Sequence, residues 1–349
     1  MEPGATVQLF APVLAGIFSL ATLLILLKSR GLPLDRPNQR SSHAQPTPRG
    51  GGVGIVLGGT AAGVWLGGLG GFADTVLWGG ITMSLAIAAI GLWDDVRSVP
   101  PALRLCAQLA VCAGALAVLP SLPPLDLPFG AVVSGALLWA ALLLAGVWWI
   151  NLFNFMDGID GIAGAQAVFM LAAAAGLAAW MNPALVSHTV WLWMLGVAVA
   201  TLGFLVLNWP PAKIFMGDVG SSYLALMIFF VALLTVQAGW LPYQAWLILG
   251  AVFVTDATVT LLTRMARRER WAQAHRSHAY QRLAQRWRSH RAVTLGVIAI
   301  NLLWLLPLAW ACATWPEANG GSSWGWAALA YAPLVAGVLA AGGGRAEHA

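Results

Sequence analysis

Eleven apolar stretches, each long enough to cross a lipid bilayer, occupy most of this 349-residue sequence. A membrane-spanning helix needs about 17–25 predominantly apolar residues. Charged residues make up only 9% of the chain, too few to surround a soluble core of this length. We therefore predict an all-α integral membrane protein, a single polytopic bundle over residues 1–349. Its expected transmembrane helices lie near 8–28, 51–71, 75–93, 103–119, 130–150, 162–181, 189–207, 220–238, 244–263, 293–313 and 326–342.

The basic residues orient this bundle. With eleven spans, all 18 Lys and Arg residues fall on one side of the membrane, which the positive-inside rule makes cytoplasmic. The N-terminus is then periplasmic and the C-terminus cytoplasmic. No basic residue precedes the first stretch, so we expect it to remain as an anchor and not to be cleaved as a signal peptide. The predicted cytoplasmic loops are 29–50, 93–104, 151–161, 208–219 and 264–292.

Carboxylates are concentrated on the same side, where the positive-inside rule does not require them. Asp94 and Asp95 follow each other at the end of the third stretch. A helix C-terminus has partial negative charge, so two adjacent carboxylates there are unfavourable unless a cation compensates them. The alternative is an ordinary solvated helix end, where Lys or Arg would suit better.

A second acidic cluster, Asp157 and Asp160, alternates with Gly158 and Gly161 after two asparagines. Glycines permit a tight turn and close approach of the backbone to a ligand. Capping of the sixth stretch is an alternative for Asp160, but it does not explain Asp157 or the asparagines.

Asp218 begins the eighth stretch, where it could cap the helix. A helix N-terminus with free N–H groups also binds phosphate, and an adjacent carboxylate could hold Mg²⁺ against that phosphate. Together with the basic loops, the three acidic clusters predict a phosphorylated substrate and a hard, oxygen-liganded cation. Mg²⁺ is the first choice and Mn²⁺ the alternative.

Three further features on this side have both a functional and a plain interpretation. Arg49 could contact phosphates or only fix the topology. The basic segment 264–291 is predicted to be an interfacial helix, with His275 and His278 on one face as a polar contact site. Asp256 lies inside the ninth stretch, where an acid is a functional candidate unless a polar neighbour pairs with it.

Five motifs in this order resemble the polyprenyl-phosphate N-acetylhexosamine-1-phosphate transferase superfamily: TPRGGG, GLWDDV, NLFNFMDGIDG, FMGDVGSS and HRSH. The resemblance covers nearly the whole chain. It implies an enzyme of the bacterial inner membrane that transfers a sugar-1-phosphate from a UDP-sugar to undecaprenyl phosphate and releases UMP. Mg²⁺ and the lipid bilayer are its expected partners, with a homodimer as the expected assembly and no nucleic acid.

The same resemblance assigns roles to residues by motif. Asp94 and Asp95 match the catalytic aspartates, and Asp218 matches the metal ligand. Phe215 matches the aromatic residue placed against uracil. The remaining substrate-binding positions would be Arg49, Arg104, Asn151, Asn154, Asp157, Asp160, Asn208, His275 and His278.

Two departures separate the chain from the phospho-MurNAc-pentapeptide translocase of this superfamily. Ser98 stands where the translocase has a lysine, and the histidine motif is His-Arg-Ser-His. Both favour the branch that starts O-antigen or related surface polysaccharides, with the translocase as the alternative. An alternative of another class is a cation-coupled transporter, although such sites usually lie near the bilayer midplane.

Overall fold

The computed structural model describes residues 8–29, 33–35, 46–68, 74–119, 121–269, 276–315 and 323–345. Fourteen α-helices run through these residues. In chain order they are α1 (Ala11–Ser29), α2 (Gly52–Gly68), α3 (Asp74–Val96), α4 (Pro101–Ala117), α5 (Gly135–Met156), α6 (Ile162–Met181), α7 (Thr189–Asn208), α8 (Gly217–Gln237), α9 (Tyr243–Leu249), α10 (Ala251–Ala266), α11 (Ala279–Trp287), α12 (His290–Ile300), α13 (Leu306–Thr314) and α14 (Trp324–Ala340).

Two short antiparallel strand pairs accompany the helices. Strand β1 (Leu34–Asp35) pairs with β2 (Thr47–Pro48), and β3 (Leu125–Asp126) pairs with β4 (Val132–Val133). A π-helical segment, Asn301–Leu305, joins α12 to α13. Across the described residues, helices are therefore the regular structure apart from these two ribbons.

The helices confirm a polytopic membrane protein. Seven helical segments of the described residues are long and apolar enough to cross a bilayer: Ala11–Ser29, Thr75–Val96, Gly135–Met156, Ile162–Met181, Thr189–Asn208, Gly217–Gln237 and His290–Thr314. The pair α9 and α10, bent by 75° at Gly250, forms an eighth if it counts as one span. The apolar helices α2, α4 and α14 are shorter, at 17 residues each. All eleven predicted stretches fall on these helices, while the number of crossings and the orientation of the termini stay predictions.

Helix α8 forms the centre of the bundle and packs against α2, α3 and α5. Most of its side chains are buried, including Tyr223 and Phe230. Large apolar side chains such as Ile25, Leu144 and Leu303 are instead exposed on the outside, as expected of a surface that faces lipid tails.

Close helix contact at α8 depends on a glycine of α3. A Cβ atom at Gly91 would overlap the carbonyl oxygen of Asp218, so only glycine allows α3 to lie this near to the start of α8. Asp94 and Asp95 follow one turn later on α3. The contact therefore delivers both carboxylates to the N-terminal end of α8.

Candidate active site

The predicted acidic clusters meet at one end of the bundle, around the first turn of α8. Helices extend further into the connections than the sequence suggested. Asp94 and Asp95 lie in the last turn of α3, Asn151 and Asn154 lie within α5, and Asp218 lies in the first turn of α8. The motif residues are therefore held mostly on helix ends.

Backbone pairing brings Arg49 into this site. The N–H of Phe215 donates to the carbonyl of Pro48 at 2.8 Å, and the N–H of Gly51 donates to the carbonyl of Phe215 at 2.8 Å. Arg49 then reaches Oδ1 of Asp95 with Nε at 2.8 Å and Oδ1 of Asp218 with Nη2 at 3.1 Å. Its guanidinium thus binds carboxylates from two helices at once.

Asp95 caps a helix that is distant in sequence. Its carboxylate accepts the backbone N–H of Asp218 at 2.8 Å and of Val219 at 3.1 Å, and its side chain is 0% exposed. A carboxylate at a helix N-terminus satisfies free N–H groups and the positive end of the helix dipole. These two amides are therefore taken, and the prediction that they are free to bind phosphate is wrong.

Asp94 and Asp218 form the accessible pair of the site. Asp94 accepts the N–H of Val99 at 2.7 Å and binds Nη1 of Arg104 at 2.6 Å. Arg104 Nη1 also lies 3.8 Å from Oδ2 of Asp218, so one guanidinium nitrogen lies within 4 Å of both carboxyl groups. Like charges on the two carboxylates repel, and the Arg104 guanidinium offsets part of that repulsion.

The charges of Asp218 and Arg49 also act on Asp157, which lies in the turn between α5 and α6. Burial raises the pKa of Asp157 well above its ordinary value; the charge of Asp218 raises it further and Arg49 opposes the shift. Burial lowers the pKa of Arg49, but Asp95 and Asp218 outweigh this and raise it overall. Around the first turn of α8, carboxyl groups thus outnumber guanidinium groups, with Asp94, Asp95, Asp157 and Asp218 near Arg49 and Arg104.

The turn that contains Asp157 and Asp160 is held by hydrogen bonds to the end of α7 and to the connection between α7 and α8. Asn208 accepts the N–H of Gly161 at 2.9 Å and donates to the carbonyl of Ile214 at 2.8 Å. Asp160 accepts the N–H of Ala212 at 3.1 Å and lies 3.3 Å from Nδ1 of His290. Both side chains hold the turn in place through these contacts.

Helix capping by Asp160 and Asp218 is wrong. Gly161, in a left-handed conformation, precedes α6, and Met216 precedes α8; neither helix start has a side-chain cap of its own. Asp160 faces the following connection, and Asp218 faces the arginines. The cap of α8 comes from Asp95, which no local pattern reveals.

The two asparagines of α5 bind neighbouring helices. Asn151 donates to Oε1 of Gln108 at 2.7 Å, and Oδ1 of Asn154 accepts from the Ser221 hydroxyl at 3.3 Å. Gln108 and Ser221 were not predicted as partners from the sequence. Gln108 could have been found as a polar residue within an otherwise apolar stretch, since such residues usually pair with one another.

The histidine motif differs from the expected helical face. His278 lies in extended backbone just before α11, so the prediction that it shares a helical face with His275 is wrong. His275 lies outside the described residues. The predicted helix over 264–291 is interrupted, because α10 ends at Ala266 and α11 begins at Ala279.

The donor atoms fit a magnesium ion. In the part of the chain that the structure describes, no three His, Cys, Asp or Glu side chains form a metal-binding group. Mg²⁺ does not need three, because it is usually held by one or two carboxylates together with water and substrate phosphates. Asp218 and Asp94 supply such a pair.

Comparison with known proteins gives consistent relatives. The sequence model of glycosyl transferase family 4 matches residues 77–236. The chain is 31% identical over 315 residues to a decaprenyl-phosphate N-acetylglucosaminephosphotransferase of Mycolicibacterium smegmatis, covering 76% of this chain and 73% of the relative. It is 28% identical over 302 residues to a probable undecaprenyl-phosphate N-acetylglucosaminyl 1-phosphate transferase of Bacillus subtilis, covering 83% and 82%.

A phospho-N-acetylmuramoyl-pentapeptide-transferase of Lactiplantibacillus plantarum is also similar, 28% identical over 229 residues, with 62% of this chain and 68% of that one covered. The residues matched by the family model include the acidic clusters on α3, the α5–α6 turn and α8. The chain belongs to glycosyl transferase family 4, in the superfamily of polyprenyl-phosphate N-acetylhexosamine-1-phosphate transferases.

Proposed function

We propose that this membrane transferase moves an N-acetylhexosamine-1-phosphate from a UDP-sugar to undecaprenyl phosphate, with Mg²⁺, and releases UMP. One observation carries this proposal: Arg104 Nη1 lies 2.6 Å from Asp94 and 3.8 Å from Asp218, and Arg49 binds Asp218 from a second direction at 3.1 Å. Joining two phosphate anions requires positive charge around the phosphates, and a carboxylate pair is the means to hold a divalent cation there.

Asp218 and Asp94 would hold the cation. When bound, Mg²⁺ would neutralise phosphate charge and fix the geometry of the phosphates. Arg49 and Arg104 are placed to bind the remaining phosphate oxygens, because each already spans carboxylates of two helices. Asp95 serves as a positioning residue, since its buried oxygens are occupied by Arg49 and by two amides of α8.

Transfer proceeds by direct attack of the lipid phosphate. Its oxygen forms a bond to the β-phosphorus of the UDP-sugar, while the bond from that phosphorus to the bridging oxygen breaks. UMP leaves with the bridging oxygen and its electron pair. A phosphate monoester is mostly dianionic at pH 7, so no protein group has to remove a proton from it. Asp94 then orients Arg104 and the cation instead of acting as a base.

UDP-N-acetylglucosamine is the proposed donor, because the Bacillus and Mycolicibacterium relatives are named for N-acetylglucosamine phosphate transfer. Ser98 and the His-Arg-Ser-His motif argue against the pentapeptide substrate of the translocases. The product would start O-antigen or a related surface polysaccharide in the bacterial inner membrane. If the C-terminus is cytoplasmic, as the basic residues predict, the site faces the cytoplasm, where UDP-sugars are made. A homodimer remains the expected assembly.

Purified protein in lipid nanodiscs tests the proposal. UMP release should require undecaprenyl phosphate, Mg²⁺ and one donor from a panel of UDP-N-acetylglucosamine, UDP-N-acetylgalactosamine and UDP-MurNAc-pentapeptide. Chelation with EDTA should abolish it, and Mg²⁺ or Mn²⁺ should restore it. Transfer from UDP-MurNAc-pentapeptide alone would assign the translocase reaction instead. A covalent sugar-phosphoryl enzyme formed without lipid acceptor would contradict direct attack.

A further inference from the structure

Asp256 is a buried acid outside the carboxylate cluster at α8. Its Oδ1 accepts the N–H of Ala279 at 2.9 Å, and its Oδ2 accepts the N–H of Tyr280 at 2.9 Å. Nδ1 of His278 lies 3.3 Å from Oδ1. Asp256 on α10 therefore caps the N-terminus of α11, which satisfies a buried carboxylate that would otherwise be costly.

This cap fixes Tyr280, whose side chain reaches the end of α5. The Tyr280 hydroxyl donates to the carbonyl of Phe155 at 2.8 Å. That carbonyl belongs to the last turn of α5, where helix carbonyls have no partner within the helix. The ring of His278 lies alongside, 6.2 Å from the ring of Phe155 and 5.8 Å from the ring of Tyr280.

The same hydroxyl sits against the acidic turn. A Cβ atom at Gly158 would overlap the Tyr280 hydroxyl oxygen, so the turn passes in direct contact with this side chain. Gly158 follows Asp157 immediately, and Phe155 lies two residues before Asp157. Tyr280 therefore holds the α5–α6 turn from one side, while Asn208 and Asp160 brace it from the other.

The direction of α10 is itself fixed at the break before it. Gln166 of α6 donates to the carbonyl of Leu249 at 3.0 Å, next to the 75° bend at Gly250, and accepts from Asn301 at 2.8 Å. A bent span needs such a partner, because the break frees backbone carbonyls inside an apolar bundle. The bend turns α10 so that Asp256 meets the start of α11.

We infer that Asp256 is a positioning residue for catalysis: through the start of α11 and the Tyr280 hydroxyl, it holds the turn that contains Asp157. The effect on catalysis rests on the proposed function, whereas the effect on the turn does not. Asp256 touches neither substrate nor the Asp94–Asp218 pair in this scheme. Its loss should therefore lower kcat more than it changes KM.

Amide hydrogen exchange tests directly whether Asp256 holds the turn that contains Asp157. Asp256→Asn should speed exchange at least about tenfold in peptides covering 279–287 and 155–161, since charged hydrogen bonds to two amides are weakened. Tyr280→Phe should speed exchange in 155–161 while largely sparing 279–287. Thr260→Val is the matched control, because Thr260 donates to Asp256 at 3.2 Å but contacts neither α11 amide; it should leave 155–161 unchanged. Unchanged exchange of 155–161 in both Asp256→Asn and Tyr280→Phe would overturn the inference.

Kinetics and a rescue complete the test. Asp256→Asn and Tyr280→Phe should each lower kcat by about tenfold, and the double variant should be little worse than Asp256→Asn alone, because both act through one contact. Gly158→Ala should be impaired by its clash with the hydroxyl, and Tyr280→Phe should partly restore it. Additive losses, or no rescue, would contradict the proposed connection.

If the wild-type protein transfers no sugar phosphate at all, the proposed function fails, and the exchange data still decide the positioning role.

Discussion

The two ends of the helix bundle differ in the charged contacts that hold them. At the end with the acidic clusters, carboxylates bind backbone amides and arginines of distant segments, as Asp95 does at α8. At the opposite end, aromatic donors bind backbone carbonyls: Trp324 reaches Asp126 at 2.6 Å, and Tyr243 reaches Pro123 at 3.0 Å. The charged contacts of the first end are the ones that the proposed function uses.

The largest effect is expected from Asp218→Asn at the charged end. The change removes one carboxylate of the pair that faces Arg104 and Arg49, so transfer should fall by on the order of 10²–10³-fold. Asp126→Asn is the matched control at the opposite end, where Asp126 belongs to strand β3 and its side chain is exposed. UMP release measured in nanodiscs should be unchanged by it. Equal losses in both variants would remove the functional distinction between the ends.

Arg49→Lys should cost about 10–100-fold in kcat/KM. A lysine has one point of contact, whereas Arg49 reaches Asp95 with Nε and Asp218 with Nη2. The initial rate at saturating lipid and varied UDP-sugar measures this loss. Retention of full activity would show that charge alone, without the two-point geometry, is sufficient at this end.

Asp157→Asn should change the pH dependence of stability. Because the pKa of Asp157 is raised in the folded protein, its contribution to stability is fully present below the ordinary aspartate pKa. That contribution is lost as pH rises through the raised folded pKa. The neutral variant should therefore have a higher Tm than wild type at pH 8, with the difference vanishing near pH 4. A constant Tm difference, measured in EDTA by intrinsic fluorescence, would contradict the assignment.

The smallest effect is expected at the neutral end. Trp324→Phe removes the indole donor to the Asp126 carbonyl and should lower stability by about 1 kcal/mol. Transfer activity should stay at the wild-type level. A marked loss of activity would mean that the two ends are coupled through the bundle and are not independent closures.

The helices and the gathering of Asp94, Asp218 and Arg49 could be predicted from the sequence, because apolar length and charge asymmetry determine which connections share a side. The cap by Asp95 could not be predicted, since it depends on the close approach of α3 to α8 at Gly91. The break at Gly250 was also hidden, since hydropathy continues across it and no proline marks it.

The prediction that His275 and His278 share a helical face was wrong for a related reason. A spacing of three residues predicts a shared face only if the backbone is helical, and Asp256 instead caps the helix one residue after His278. The partner of Asp256 is 23 residues further along the chain. Local periodicity cannot report such a contact.

The Asp95 cap has a consequence for inhibitor design. The amides of Asp218 and Val219 are occupied by a buried carboxylate, so an anionic group aimed at this helix start would meet negative charge instead of donors. Inhibitors that place an ammonium or amidinium group near Asp94, Asp157 and Asp218 would instead exploit the excess of acid. Compounds of this kind need not imitate a pyrophosphate. They can therefore omit the phosphate groups, whose negative charge keeps pyrophosphate mimics out of cells.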